Sequence, residues 1–140
     1  MASIRHQIYI AAGSREIWRA LTTAEGLTSW LADEARVDGR KGGRFVLVGE
    51  DDEGNPVEER GMIHHWRPTS HLEVAWDSVG SFPTRGTRLS FKLARDGEET
   101  RLSLVHSGGG ILDDEEQREQ LNVDWRRALR SLQSMLDAAD

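Results

Sequence analysis

This chain carries five histidines and no cysteine, so proton-transfer chemistry near neutral pH would fall to imidazoles and carboxylates. His106 is the first candidate. On a predicted strand over Thr100–Ser107 it alternates in phase with Leu102 and Leu104, the apolar, inward phase. An inward His could hydrogen-bond a ligand or act as acid or base. A His at a strand end, satisfied by a backbone group, is the plainer expectation. His64 and His65 are adjacent on another predicted strand; they point to opposite faces and do not chelate one metal together. No His, Asp or Glu pair at the required spacing of two stands out, and without a thiol no zinc site is expected. Ser103 is out of phase with His106, so no Ser-His-Asp set assembles. No catalytic residue, metal or cofactor is assigned.

Two glycine-rich segments have the outline of a phosphate cradle. Ser107-Gly108-Gly109-Gly110 precedes a helix but lacks the Gly-Lys-Ser/Thr ending of a P-loop. Asp113, Asp114, Glu115 and Glu116 already occupy the positive end of that helix dipole and repel an anion. Lys41-Gly42-Gly43 reads as a hairpin turn. The five tryptophans offer different chemistry. Trp18 fits a core position on a helix stripe. Trp30, Trp76 and Trp125 fall on elements expected to enclose a space, where flat indoles could stack on an aromatic ligand.

The elements that would position these residues follow from periodicity. A strand is expected over Ile4–Ala11, then a helix capped by Ser14 and a short helix over Ala24–Leu31. Strands follow at Ala35–Asp38, Arg44–Glu50, Glu58–Trp66, His71–Asp77, Gly86–Ala94 and Thr100–Ser107. Their connections are too short for crossover helices, so the sheet must be largely antiparallel. A long helix over Glu115–Leu136, capped by Asp113 or Asp114, carries Leu121, Trp125, Ala128, Leu129, Leu132 and Leu136 on one stripe. At about 1.5 Å per residue it spans roughly 33 Å, enough to cross a sheet. The expected fold class is α+β: a seven-stranded curved antiparallel sheet around the C-terminal helix, with two short helices at one end and a cavity between helix and sheet.

Composition limits the partners. A length of 140 residues fits one domain, residues 1–140. With 24 acidic against 18 basic residues and a net charge of −6, the basic footprint needed for nucleic acid is missing. Arg126, Arg127 and Arg130 read as a solvated helix face. No run approaches the roughly 18 apolar residues of a membrane span, and no signal segment is visible. The expected location is cytoplasmic.

Several segments together resemble the SRPBCC or START-like superfamily, with its helix-grip fold, and within it the family named after the activator of the 90-kDa heat-shock-protein ATPase. They are Ile17-Trp18-Arg19-Ala20-Leu21-Thr22, Leu27-Thr28-Ser29-Trp30, Asp38 to Phe45, Gly61-Met62-Ile63-His64, Leu72-Glu73-Val74-Ala75-Trp76, Gly86-Thr87-Arg88-Leu89, Thr100 to His106, and Trp125 with Leu129 and Leu132. Asp124 departs from the pattern, where the family often has Gly. The resemblance implies a pocket for lipids, phenolics or other apolar molecules; some relatives are enzymes.

Three functions compete. The leading one is a non-enzymatic binder of a small apolar or aromatic ligand. A chaperone-associated, stress-response interaction protein rests on the resemblance alone. A pocket-based cyclase or hydrolase would need a proton-transfer group in the cavity, for which His106 is the inward candidate. The expected ligand-binding set is Trp30, Phe45, Trp76, Phe91, His106, Trp125 and Leu129, with the mouth framed by the loops Ser78–Arg85 and Gly108–Leu112.

Overall fold

The computed structural model describes residues 2–137. Seven strands form one antiparallel sheet in the order β1-β7-β6-β5-β4-β3-β2. They are β1 (Ser3–Ile10), β2 (Glu34–Val37), β3 (Arg44–Glu50), β4 (Pro56–Arg67), β5 (His71–Trp76), β6 (Thr87–Asp96) and β7 (Glu99–Gly108). From β2 to β7 the chain runs as a meander, and β1 closes against β7 from Ser3↔Ser107 to Ile10↔Thr100. The two edge strands, β1 and β2, are therefore joined by α1 (Ser14–Thr22) and α2 (Ala24–Leu27), which carry the chain across the sheet. The helix α3 (Glu115–Asp137) follows a 3-10 turn at Gly110–Asp113.

The helix docks as its stripe predicts. Trp125, Leu129, Leu132 and Leu136 are buried, at helical spacing on one face. On the same stripe Leu121 and Ala128 are only partly buried. Asp114 supplies the cap, its Oδ1 accepting from the Gln117 N–H at 3.0 Å. Three polar contacts tie α3 to β1 and the residue after it. His6 Nε2 and Asn122 Oδ1 lie 2.7 Å apart, Gln133 donates to the Tyr9 carbonyl at 2.7 Å, and Asp137 accepts from the Ala11 N–H at 2.8 Å.

Several expectations are corrected. Ser14 does not cap α1: Gly13 holds that position with no side-chain bond, and Ser14 is the first helical residue. The second helix stops at Leu27 rather than Leu31. Thr28 and Ser29 hydroxyls bond back to the carbonyls of Ala24 and Glu25, an arrangement that competes with helix propagation. Gly26 there permits contact with α1, since a Cβ would lie 2.3 Å from the Arg19 carbonyl oxygen. A register shift between Ile63 and His65 breaks the simple alternation assumed for His64 and His65. The bulge brings Trp66 onto the same face as Ile63, because these residues pair with Leu72 and Val74, both buried. Trp66 then meets Trp18 edge-on at 5.1 Å.

Gly61 is fixed by its strand neighbour. It pairs with Trp76, and a Cβ there would stand 2.7 Å from the Ala75 carbonyl oxygen and 2.9 Å from both Trp76 Cε3 and Val74 Cγ1. Backbone cannot give way as a side-chain tip can. Gly61→Ala is therefore expected to destabilise by about 1–3 kcal/mol, the range for overpacking. The check is a denaturant midpoint; an unchanged midpoint would mean that this strand pair yields freely.

Candidate functional site

Between α3 and the concave face of the sheet lies a cavity of about 130 Å³. Its walls come from Leu47 and Gly49 of β3, Glu59 of β4, Trp76 of β5 and His106 of β7. Leu121, Asp124, Trp125 and Ala128 of α3 face them, while Leu31, Ala32 and Thr84 close the rim. The cavity shares Leu31, Ala32, Gly49, Glu59, Thr84, Leu121 and Asp124 with an outer cleft of about 780 Å³. Asp33, Glu50, Asp51 and Asp52 line that cleft, with Pro83 and Ile111 from the two loops expected at the mouth. Another hollow, of about 880 Å³, lies at the β1–α1 corner against Ala11–Ser14 and Arg95–Glu99, outside the space under α3.

Of the seven residues expected to line a site, Trp76, His106 and Trp125 do line this cavity. Phe45, Phe91 and Leu129 stand behind the lining. Phe45 packs edge-on against Trp76 at 5.9 Å, Phe91 against Trp125 at 6.2 Å, and Leu129 is buried in the same core. Trp30 goes elsewhere. With the second helix ending early, its indole turns back under α1 and donates to the Ala20 carbonyl at 2.9 Å. The loop after β7 is anchored by Leu112 in the 3-10 turn, which is fully buried.

His106 is only 1% exposed, and both ring nitrogens are engaged. An indole N–H can only donate, so the bond from Trp125 Nε1 at 3.0 Å makes Nδ1 an acceptor. The proton of the neutral ring then sits on Nε2, 2.8 Å from Thr87 Oγ1, and the Thr87 hydroxyl donates onward to the Thr84 carbonyl at 2.6 Å. Burial lowers the His106 pKa to about 4. At neutral pH His106 is an uncharged strut between α3 and β6, satisfied by two side chains rather than by a backbone group.

Glu59 is the residue that the sequence-based expectations omitted. It lines both the cavity and the cleft, and its carboxylate accepts from the Thr84 hydroxyl. Burial raises its pKa above the usual value, opposed by that hydrogen bond. The available signal was parity: Glu59 shares its phase on β4 with Val57, Gly61 and Ile63. If the site moves a proton, Glu59 is better placed than His106, because its carboxyl borders the open space and retains a proton more readily. On the outer face His71 and Glu73 do form a spacing-of-two pair on β5, and His65 joins them, 3.2 Å from Glu73 and stacked on His71. Among the described residues, however, no group of three or more His, Asp or Glu side chains is arranged to hold a metal ion. No helix among them is long and apolar enough to cross a membrane.

A curved antiparallel sheet gripping a long C-terminal helix is the helix-grip fold. Residues 11–137 match the family model described as Activator of Hsp90 ATPase homolog 1-like protein, and the chain belongs to that family. Among solved structures it is similar to the Aha1 dimer of Colwellia psychrerythraea, with a TM-score of 0.80 and 24% identity over 98% of this chain and 97% of that one. Protein NE0264 of Nitrosomonas europaea gives 0.81 and 21% over 99% and 96%. CalU16 of Micromonospora echinospora gives 0.74 and 26% over 96% and 75%. A search of curated proteins returns no match.

Proposed function

We propose that this protein is a binder of a small apolar or aromatic molecule, using the cavity between α3 and the sheet. The observation that carries this reading is a cavity of about 130 Å³ between α3 and the sheet, bordered by two indoles and opening into the outer cleft. An apolar cavity of roughly 150 Å³ holds one benzene-sized ring. A single ring therefore fits the cavity, and a larger ligand extends into the outer cleft of about 780 Å³. Such an arrangement selects by shape at the inner end and tolerates variety at the outer end.

Trp76 and Trp125 both border the space, so ligand entry is expected to change the intrinsic fluorescence. Titration with a panel of lipids, phenolics and polyketide-like compounds should give a saturable response at one ligand per chain for at least one class. Absence of a saturable response across the panel would overturn the reading. The family description brings a second one, a chaperone-associated role in stress response. A pull-down and an ATPase assay with the matching chaperone separate it from ligand binding. Both readings suit a cytoplasmic protein.

A further inference from the structure

The side of the sheet turned away from α3 carries its charge unevenly. The strand pairings set Arg67, His71 and Lys92 side by side across β4, β5 and β6. Arg88, Arg101 and Arg5 share this face, on β6, β7 and β1. Glu73 is the one carboxylate in the middle of the face, while Glu58 and the Asp96–Glu99 hairpin stand at its margin. Glu73 is already divided between His65 at 3.2 Å and Arg88 at 3.6 Å. Arg5, Arg67, Lys92 and Arg101 make no ion pair among the described residues. Like charges opposite one another on neighbouring strands repel. His71 responds to that field: its pKa is lowered by partial burial first, then by His65, Lys92 and Arg67, against the pull of Glu73.

The net charge of the chain is −6, so the surface beyond this face is strongly acidic. A long polyanion would run off the basic face and meet that surface. The large hydrophobics exposed on the face are Tyr9 and Met62, on β1 and β4 with β7, β6 and β5 between them. They form neither a stacking platform for bases nor an apolar patch for a bilayer. A short acidic stretch of protein fits better. From β4 to β1 the face spans about 19 Å, four strand spacings, which about six extended residues cover. We propose that this face docks a short Asp- and Glu-rich segment of a partner protein, its carboxylates lying along Arg67, His71 and Lys92 toward Arg5. The sheet itself separates this face from the cavity, so the proposal is independent of the ligand-binding reading.

Three probes test it on the full chain, compared at equal concentrations of negative charge and followed by backbone ¹H–¹⁵N spectra. They are a capped peptide of about eight glutamates, long enough to cross the face, a uridine oligonucleotide, and phosphatidylserine vesicles. The peptide is expected to bind most tightly and to shift amides of β4, β5 and β6 around His71 and Lys92. Its affinity should fall several-fold between about 50 and about 200 mM salt. It should rise as pH falls from about 8 to about 6, where His65 and His71 gain charge. Arg67→Glu combined with Lys92→Glu should weaken the peptide by about tenfold; both side chains are exposed, so the fold is expected to survive. If that variant does not fold, the shift map of the parent decides. No binding of the peptide, shifts confined to α3 around Arg126, Arg127 and Arg130, or an unaltered affinity in the folded variant would overturn the proposal. Tighter binding of the oligonucleotide or the vesicles would overturn it in favour of that polyanion.

Discussion

Trp125→Ala is expected to remove about 3–5 kcal/mol of stability and to lower Tm by more than about 10 °C. The side chain is 7% exposed in the middle of the α3 stripe. It meets Phe91 edge-on at 6.2 Å and its N–H satisfies His106 at 3.0 Å. Alanine would leave a void and also a buried imidazole nitrogen without its donor, a further penalty on the scale of a lost hydrogen bond. Trp125→Phe separates the two contributions by keeping most of the volume and removing the N–H. A thermal melt of Trp125→Ala within a degree or two of the parent would show that α3 is not held by this residue.

A second large effect is expected on acidification. The unfolded chain binds a proton at His106 with a pKa near 6.5, whereas burial lowers the folded value to about 4. Between those values the unfolded state holds more protons, so stability falls as pH falls. The contribution is fully present above pH 6.5, is lost progressively down to about pH 4, and changes no further below that. At about 1.4 kcal/mol per tenfold change in proton affinity, the total is on the order of 3 kcal/mol. Glu59 acts with the opposite sign. Its raised folded pKa means that the folded state keeps a proton the unfolded chain has released, so its contribution weakens the fold as pH rises above the ordinary carboxylate value of 4.5. The check is chemical denaturation of the parent and His106→Gln across pH 4 to 7. The parent should lose stability more steeply than the variant; parallel curves would show that His106 titrates normally.

The fold was legible because its signals are local and redundant. Strand β3 has the expected bounds, Arg44–Glu50, and the α3 stripe reappears with Trp125, Leu129, Leu132 and Leu136 buried. Parity placed Trp76, Phe91, His106 and Leu104 on the buried face correctly. Parity says which face a residue occupies, but not whether its neighbours fill the space in front of it. Hence Trp76 borders the cavity while Phe45, equally inward, packs behind it. Trp30 was expected on a second helix running to Leu31, but that helix ends four residues earlier, at Leu27. Glu59 has the same inward parity as Ile63, but parity alone does not single out a carboxylate on a strand otherwise rich in charged residues. The engagement of His106 by Trp125 and Thr87, each 19 residues away on a different element, depends on tertiary packing, and no local pattern encodes it.

The central claim is that the space beneath α3 accepts a small aromatic molecule. Crystals of the protein soaked with iodobenzene test this directly, because the anomalous scattering of iodine locates the ligand without interpretation of weak density. The account predicts an iodine peak between α3 and the sheet, in contact with Trp76, Trp125 and Leu47. Iodine found only on the outer surface, with these side chains closed over an empty or collapsed space, would contradict it.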